Sequence, residues 1–271
     1  MKNLVRISML TLIVSLTAII QSCQKDEPIN TKSESSSIVS SELKSQGSNT
    51  FYGPAVPLGN GVVRAWIKVD GNGNGDPLAV GIELSEKALE NLPEESTSFV
   101  LDFPKNKGGN FYNHMLVDWN PHGHLPFYGA PHFDFHFYWI SVEERLAIGP
   151  ENSPLFDVMP AEQYIPENYM KVPGGVPQMG AHWVDLMAPE FTGGEFTRTM
   201  IWGSYDGEFI FIEPMITTAF LLTHPEEVIS MSQPDAFQES GWYPMQYSVV
   251  YSENPGKYTV SLLDLNWQTG E

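Results

Sequence analysis

Apolar and polar residues alternate along several short stretches of the chain. In residues 62–69, Val63, Ala65, Ile67 and Val69 fall on one side, the two-residue period of a strand with one buried face. Residues 78–84 follow as the hairpin partner, and 99–103, 114–119 and 132–140 have the same strand character. Tyr205-Asp206-Gly207, between the runs 196–204 and 208–213, is a tight hairpin signal, and 242–251 with 258–265 forms a last hairpin. Three short helices interrupt this pattern. Residues 85–93 have Ser85 as N-cap and Pro93 as stop, Ser141 and Glu144 stand at capping-box spacing ahead of a helix reaching Ile148, and 215–222 follows Pro214. The long irregular stretch 152–180 is expected to be functional or packed over something. The sum predicts an α+β, β-rich fold, with antiparallel sheets in a sandwich or half-barrel and a few short helices. The 23 Gly and 21 Pro agree with many short strands joined by turns. Composition is even from Phe51 to Glu271 without a fixed-period repeat, so 51–271 is expected to be one domain.

Charge and cysteine usage narrow the function. Lys plus Arg is 14 against 33 Asp plus Glu, a net charge of −19, and a nucleic-acid binder needs clustered cations. The single cysteine excludes a disulfide framework and a multi-cysteine zinc site. That cysteine ends an export-type leader. Lys2 and Arg6 precede an apolar run over 7–20, too short for the ~20 residues of a permanent span, and Ser22-Cys23 completes a lipobox-like sequence. Residues 1–22 are therefore expected to be a lipoprotein signal peptide, and Cys23 the acylated, palmitate-bearing N-terminus of an outer-membrane lipoprotein. Gln24-Lys25-Asp26-Glu27 resembles a short acidic surface-export signal, and the Ser-rich segment over 23–50 reads as a flexible tether. The membrane partner is thus engaged through lipid.

The chemistry concentrates in histidines. Five of the seven lie between residues 114 and 136, centred on the run from Pro131 to Trp139. On a strand, His132, Asp134 and His136 line one face while Phe133, Phe135 and Phe137 line the other. The Phe face reads as core and the His/Asp row as metal-competent. Same-face neighbours stand ~6.6 Å apart, so a shared ion needs ligands from elsewhere in the chain. His122 and His124 in a turn-rich loop, and His182 after Gly180, are the candidates.

Three arrangements compete. One is three imidazoles on zinc with a position left for water. Another is cupin-like, with His122 and His124 chelating. The third is a two-His-one-carboxylate set of His132, Asp134 and His182 for Fe(II). Zinc leads, because an exported protein meets it without needing a reductant. His136, His182 and one of His124 or His132 are the expected ligands, with Asp134 orienting a ligand or joining it and Glu213 as a proton acceptor. Glu213 reads equally well as an N-terminal partner of the next helix. Against all three stands the plainer reading of histidines hydrogen-bonded to Asp118, Asp134 and Asp185, to which His114 and His224 are left. Asp70 to Asp76 opens like a calcium loop, but its twelfth position is Gly81, so a hairpin turn is preferred.

Four blocks together (118–126, 131–138, 179–185 and 211–217) resemble a family of exported bacterial proteins of unassigned function, the TTHB-type domain with a Thermus prototype, over roughly residues 58–267. The resemblance implies one β-rich domain and a histidine-lined site, with no established reaction. The expectation is a lipid-anchored envelope protein with a His/Asp divalent-metal site, a hydrolase or lyase acting on a small molecule or envelope component. The alternative is a non-catalytic surface-binding or envelope-structural module; an oligomer is compatible with either.

Overall fold

The computed structural model describes residues 48–271 except 72–74, 106, 108–110 and 125. The leader, Cys23 and nearly all of the tether lie outside the described residues, as do Asn72 and Asn74 of the calcium-loop-like turn. Among the described residues no helix is long and apolar enough to cross a membrane.

The strands are β1 (Asn49–Tyr52), β2 (Val56–Leu58), β3 (Gly61–Val69), β4 (Pro77–Ser85), β5 (Thr97–Asp102), β6 (His114–Asn120), β7 (His132–Tyr138), β8 (Tyr169–Lys171), β9 (Ala181–Asp185), β10 (Arg198–Tyr205), β11 (Glu208–Thr217), β12 (Glu226–Ser230), β13 (Gly241–Glu253) and β14 (Gly256–Gln268). They form two seven-stranded sheets. Sheet I runs β1-β3-β4-β14-β13-β12 with β2 beside β3, and sheet II runs β5-β6-β7-β11-β10-β9-β8. Strand neighbours are antiparallel throughout.

One hydrophobic core joins the two sheets. Sheet I contributes Val63, Ala65, Ile67, Val80, Ile82 and Val260, and sheet II contributes Val117, Phe133, Phe135, Phe137, Trp202 and Ile212. Phe133, Phe135 and Phe137 are fully buried, as the alternation of β7 requires. Each such side chain contributes about 1.5–3 kcal/mol through burial. The outer face of sheet II is covered in its turn. Leu116, Tyr138, Ile148, Phe156 and Phe211 make a second cluster, and Tyr128, Val184, Ile201 and Met215 a third. The stretch 152–180 supplies part of this cover. It holds the 3-10 turn Pro154–Asp157, whose Phe156 is buried, and β8. The His/Asp row of β7 therefore lies beneath a second layer instead of on an open surface.

Local signals account for the connections. Asp206 and Gly207, at φ 52° and 81°, form the two-residue turn between β10 and β11. The capping box closes at Ser141: its hydroxyl accepts the Glu144 N–H while the Glu144 carboxylate accepts the Ser141 N–H, opening α1 (Val142–Leu146). The other two helices are shorter than their patterns predict. After Ser85 only a 3-10 turn, Glu86–Leu89, forms, because the Ser85 hydroxyl accepts the Val62 N–H instead of capping. The helix after Pro214 reduces to α2 (Thr218–Leu221), because Met215, Ile216 and Thr217 continue β11 and pair with Asp134, Phe133 and His132. Pairing with β7 is present at Ile212 and Met215 on either side of Pro214, which has no N–H to offer.

Candidate metal centre

Sheet order determines which residues meet. On the outer face of sheet II, Asp118 of β6 stands directly opposite Asp134 of β7, and Met215 of β11 pairs with Asp134 on its other side. The same register places Glu213 beside His136. His182 comes from β9, with β10 intervening. Its backbone partner on β10 is Gly203, where a side chain would collide with the Phe211 ring at 1.9 Å. Gly203 thus leaves the space in which Phe211 packs against both His136 (4.9 Å) and His182 (5.5 Å). Gly180, at φ 123°, brings the start of β9 against the Ser204 carbonyl.

The candidate ligands fall into two groups: an inner one of His136, His182 and Glu213, and an outer one of His124, His132 and Asp134. Within each, one donor atom per residue lies within 4.8 Å of the others. In the inner group Glu213 Oε2 is 3.4 Å from His136 Nε2 and 3.7 Å from His182 Nε2. A tetrahedral zinc with ~2.0–2.1 Å bonds has its donors ~3.3–3.4 Å apart, so these spacings need only slight contraction. Behind His136, its Nδ1 is 3.4 Å from Asp118 Oδ2, and Asp118 Oδ1 accepts the Ser98 hydroxyl. This carboxylate–imidazole–ligand order is the support that metal-binding histidines use.

Among the described residues neither ring nitrogen of His136 makes a well-formed hydrogen bond, and Asp118 Oδ2, Asp134 Oδ1 and Glu213 Oε2 are likewise buried without one. A neutral imidazole carries a single N–H and can serve only one of the two carboxylates facing it. Burial pulls the His136 pKa down to about 3 and that of His182 to about 4, so both are neutral at pH 7. Burial, then the charges of Asp134 and Asp118, pushes Glu213 well above the usual carboxylate range. Burial likewise raises Asp118 to about 6 despite its Ser98 hydrogen bond. In the metal-free chain the Glu213 proton and the His136 N–H can bridge these contacts; with Glu213 ionised, lone pairs converge in the space, an arrangement that a divalent cation resolves.

The outer group is nearer solvent. His132 is fully buried while the His124 side chain is about half exposed, at 49%. His124 is positioned by paired hydrogen bonds with Tyr128: its N–H donates to the Tyr128 carbonyl at 2.8 Å and its carbonyl accepts the Tyr128 N–H at 3.1 Å. Gly123, at φ 58°, permits that turn.

The remaining histidines stand apart from both groups. His122 is exposed. His114 Nε2 accepts from Arg145 Nε at 3.1 Å, and His224 stacks on Tyr251 at 3.7 Å. His122 and His124 therefore form no chelating pair, and the partner of His132 and Asp134 is His124 rather than His182. Each group has two imidazoles and one carboxylate instead of three imidazoles. Arg198 pairs with Glu227 at 2.7 Å, away from both. The sequence offers Asp118 as a hydrogen-bond partner of the histidines in the plainer reading, without saying which one, and gives no role to Ser98, Asn120 or Arg145. The alternation of β6 carries the missing signal, since His114, Leu116, Asp118 and Asn120 share one face.

The fold and site define a two-sheet antiparallel β protein with a buried histidine–carboxylate cluster. Residues 72–119 match the family model described as TTHB210-like, hypothetical protein TTHB210. That stretch ends at β6 and includes His114 and Asp118, while β7, β9 and β11 lie beyond it. No curated protein and no solved structure gives a match.

Proposed function

We propose that this chain is a lipid-anchored envelope protein with a divalent-metal centre held by His136, His182 and Glu213, zinc before iron. The observation that carries the reading is the meeting of His136 Nε2, His182 Nε2 and Glu213 Oε2 in one space where, among the described residues, both His136 ring nitrogens and Glu213 Oε2 are buried without a hydrogen-bond partner. Two imidazoles with one glutamate are a donor set of zinc hydrolases, and three protein ligands leave a position open. When bound, such an ion supplies Lewis acidity toward water or a substrate oxygen.

The chain's own groups orient and balance that centre. Asp118, steadied by Ser98, stands behind the His136 ring, 3.4 Å from Nδ1. Glu213 would hold the ion as the carboxylate, its proton released to solvent on binding. Asp134, two residues along β7, shapes the charge around that centre, since after burial its carboxylate is the largest influence that raises Glu213. The reaction class that follows is hydrolysis or lyase chemistry on a small electrophile. Deep burial of His136 and Glu213 supports a second reading, a closed structural ion in a non-catalytic binding or envelope module. Coordination number separates the two, since a structural ion is saturated by protein.

Elemental analysis of the purified protein, repeated on His182→Ala, tests the centre. Stoichiometric zinc lost from the variant supports it; no metal, or metal content unchanged in the variant, rejects it. Anchoring rests on the sequence around Cys23, and Cys23→Ser is expected to release the protein from membranes into the soluble fraction.

A further inference from the structure

We infer that the chain binds a second divalent transition-metal ion in the outer group, at His124 Nε2, His132 Nε2 and Asp134 Oδ1. The inner centre does not require this ion, and its donors are entirely separate. His132 Nδ1 lies 2.6 Å from the Ala130 carbonyl oxygen, which can only accept, so the ring N–H is committed there. In the ion-free chain burial opposes a proton on Nε2, but the Asp134 carboxylate outweighs burial and favours it; once an ion displaces that proton, the Nε2 lone pair faces His124 Nε2 at 3.2 Å and Asp134 Oδ1 at 3.1 Å, with His124 Nε2 3.9 Å from Asp134 Oδ2. Three Lewis bases thus meet in one space, and apart from His132, Asp134 Oδ1 is buried there without a hydrogen-bond partner among the described residues. A single proton satisfies one lone-pair contact, whereas a cation at the centre satisfies all three.

The surrounding contacts are those of a ligand shell. The Ala130 carbonyl fixes the His132 tautomer, and Asn120 Nδ2 donates to the other Asp134 oxygen at 2.7 Å, leaving Oδ1 for the ion. Phe196 packs edge-on against the His132 ring at 5.2 Å and limits its rotation. Two imidazoles and a carboxylate select zinc or a similar transition ion over calcium or magnesium, which prefer all-oxygen shells. Because His124 is half exposed, this outer ion is the exchangeable one of the pair.

Equilibrium dialysis of the full chain against zinc, with metal and protein quantified, tests the assignment. Wild type is expected to hold two equivalents, and Glu213→Gln and His124→Ala one each. His124→Ala removes a half-exposed ring and is chosen so that folding is retained. In it the outer site is expected to weaken by about 100-fold or more, beyond the roughly 10–100-fold seen for supporting residues alone. His132→Gln repeats the test from the buried side. One equivalent in wild type, lost in Glu213→Gln and kept in His124→Ala, overturns the outer site and leaves the inner centre standing. One equivalent lost in His124→Ala and kept in Glu213→Gln overturns the inner centre instead. Loss of all zinc in both variants means a single shared site and overturns the two-ion assignment, as do two equivalents retained in His124→Ala and His132→Gln. No zinc in wild type overturns both.

Discussion

Each sheet places carboxylates on its outer face, and the two sheets neutralise them in opposite ways. On sheet I, Glu83 accepts from Arg64 Nε and from Lys257 Nζ, both at 2.7 Å. Burial raises its pKa, but the Lys257 and Arg64 contacts outweigh that and hold it below the ordinary value. On sheet II, Asp134 and Glu213 face imidazoles, and Glu213 is pushed up instead. A buried carboxylate with cationic side chains in place is structural and complete. One that faces neutral lone pairs is stable as a protonated acid or as a metal ligand, and that choice marks a site.

The largest expected effect comes from the metal itself. Zinc at 100 times its dissociation constant stabilises a folded chain by about 2.7 kcal/mol. For a domain of this size that is a Tm increase of about 5–11 °C. Calorimetry with and without chelator measures it, and an unchanged Tm breaks the contrast between the sheets.

Glutamine substitution then separates the two acids. Glu83→Gln takes the charge from three hydrogen bonds, two to Arg64 and one to Lys257, that are partly open to solvent, and is expected to cost about 1–2 kcal/mol after discounting for screening, with metal content unchanged. Glu213→Gln mimics the protonated acid of the metal-free state and is expected to cost less than about 1 kcal/mol there, while abolishing the inner metal. Urea denaturation of the metal-free proteins gives both values, and the reverse ranking contradicts the account.

The same acids give opposite pH dependences. Glu83, depressed in the folded chain, contributes stability that is present above about pH 4.5 and lost as pH falls through its folded value. Glu213, raised in the folded chain, contributes stability present below about pH 4.5 and lost as pH rises through its folded value. The buried histidines His114, His136 and His182, held near 4, 3 and 4, contribute above about pH 6.5 and withdraw that stability as pH falls toward 4. Metal-free protein is therefore expected to lose stability as pH rises through the folded values of the raised groups Glu213 and His132, while the three lowered histidines no longer change above 6.5. Glu213→Gln should flatten that decline, which thermal melts across pH 6.5–9 test. The smallest effect is expected at exposed His122: His122→Ala should leave zinc content unchanged and stability within about 0.5 kcal/mol.

Much of this contrast was legible in the sequence on one side of one strand. The alternation in β7 separates Phe133, Phe135 and Phe137 from His132, Asp134 and His136 without knowledge of the partners, because a strand's two faces follow from its geometry alone. The grouping was not legible. His136 meets Glu213 and His182 through sheet order and register, which depend on long-range pairing, and His182 crosses β10 where Gly203 leaves room. The end of β11 was misread as helix because Pro214 is a favourable helix opener locally, whereas pairing with β7 and β10 keeps Met215–Thr217 extended. The sequence offers Asp118 as a histidine partner, but that it stands behind His136 follows only from β6 lying beside β7.

The most direct test is zinc-edge anomalous diffraction from zinc-loaded crystals. The account predicts a peak about 2.0–2.2 Å from His136 Nε2, His182 Nε2 and Glu213 Oε2. A featureless map there, with those atoms hydrogen-bonded to ordered water, would contradict it.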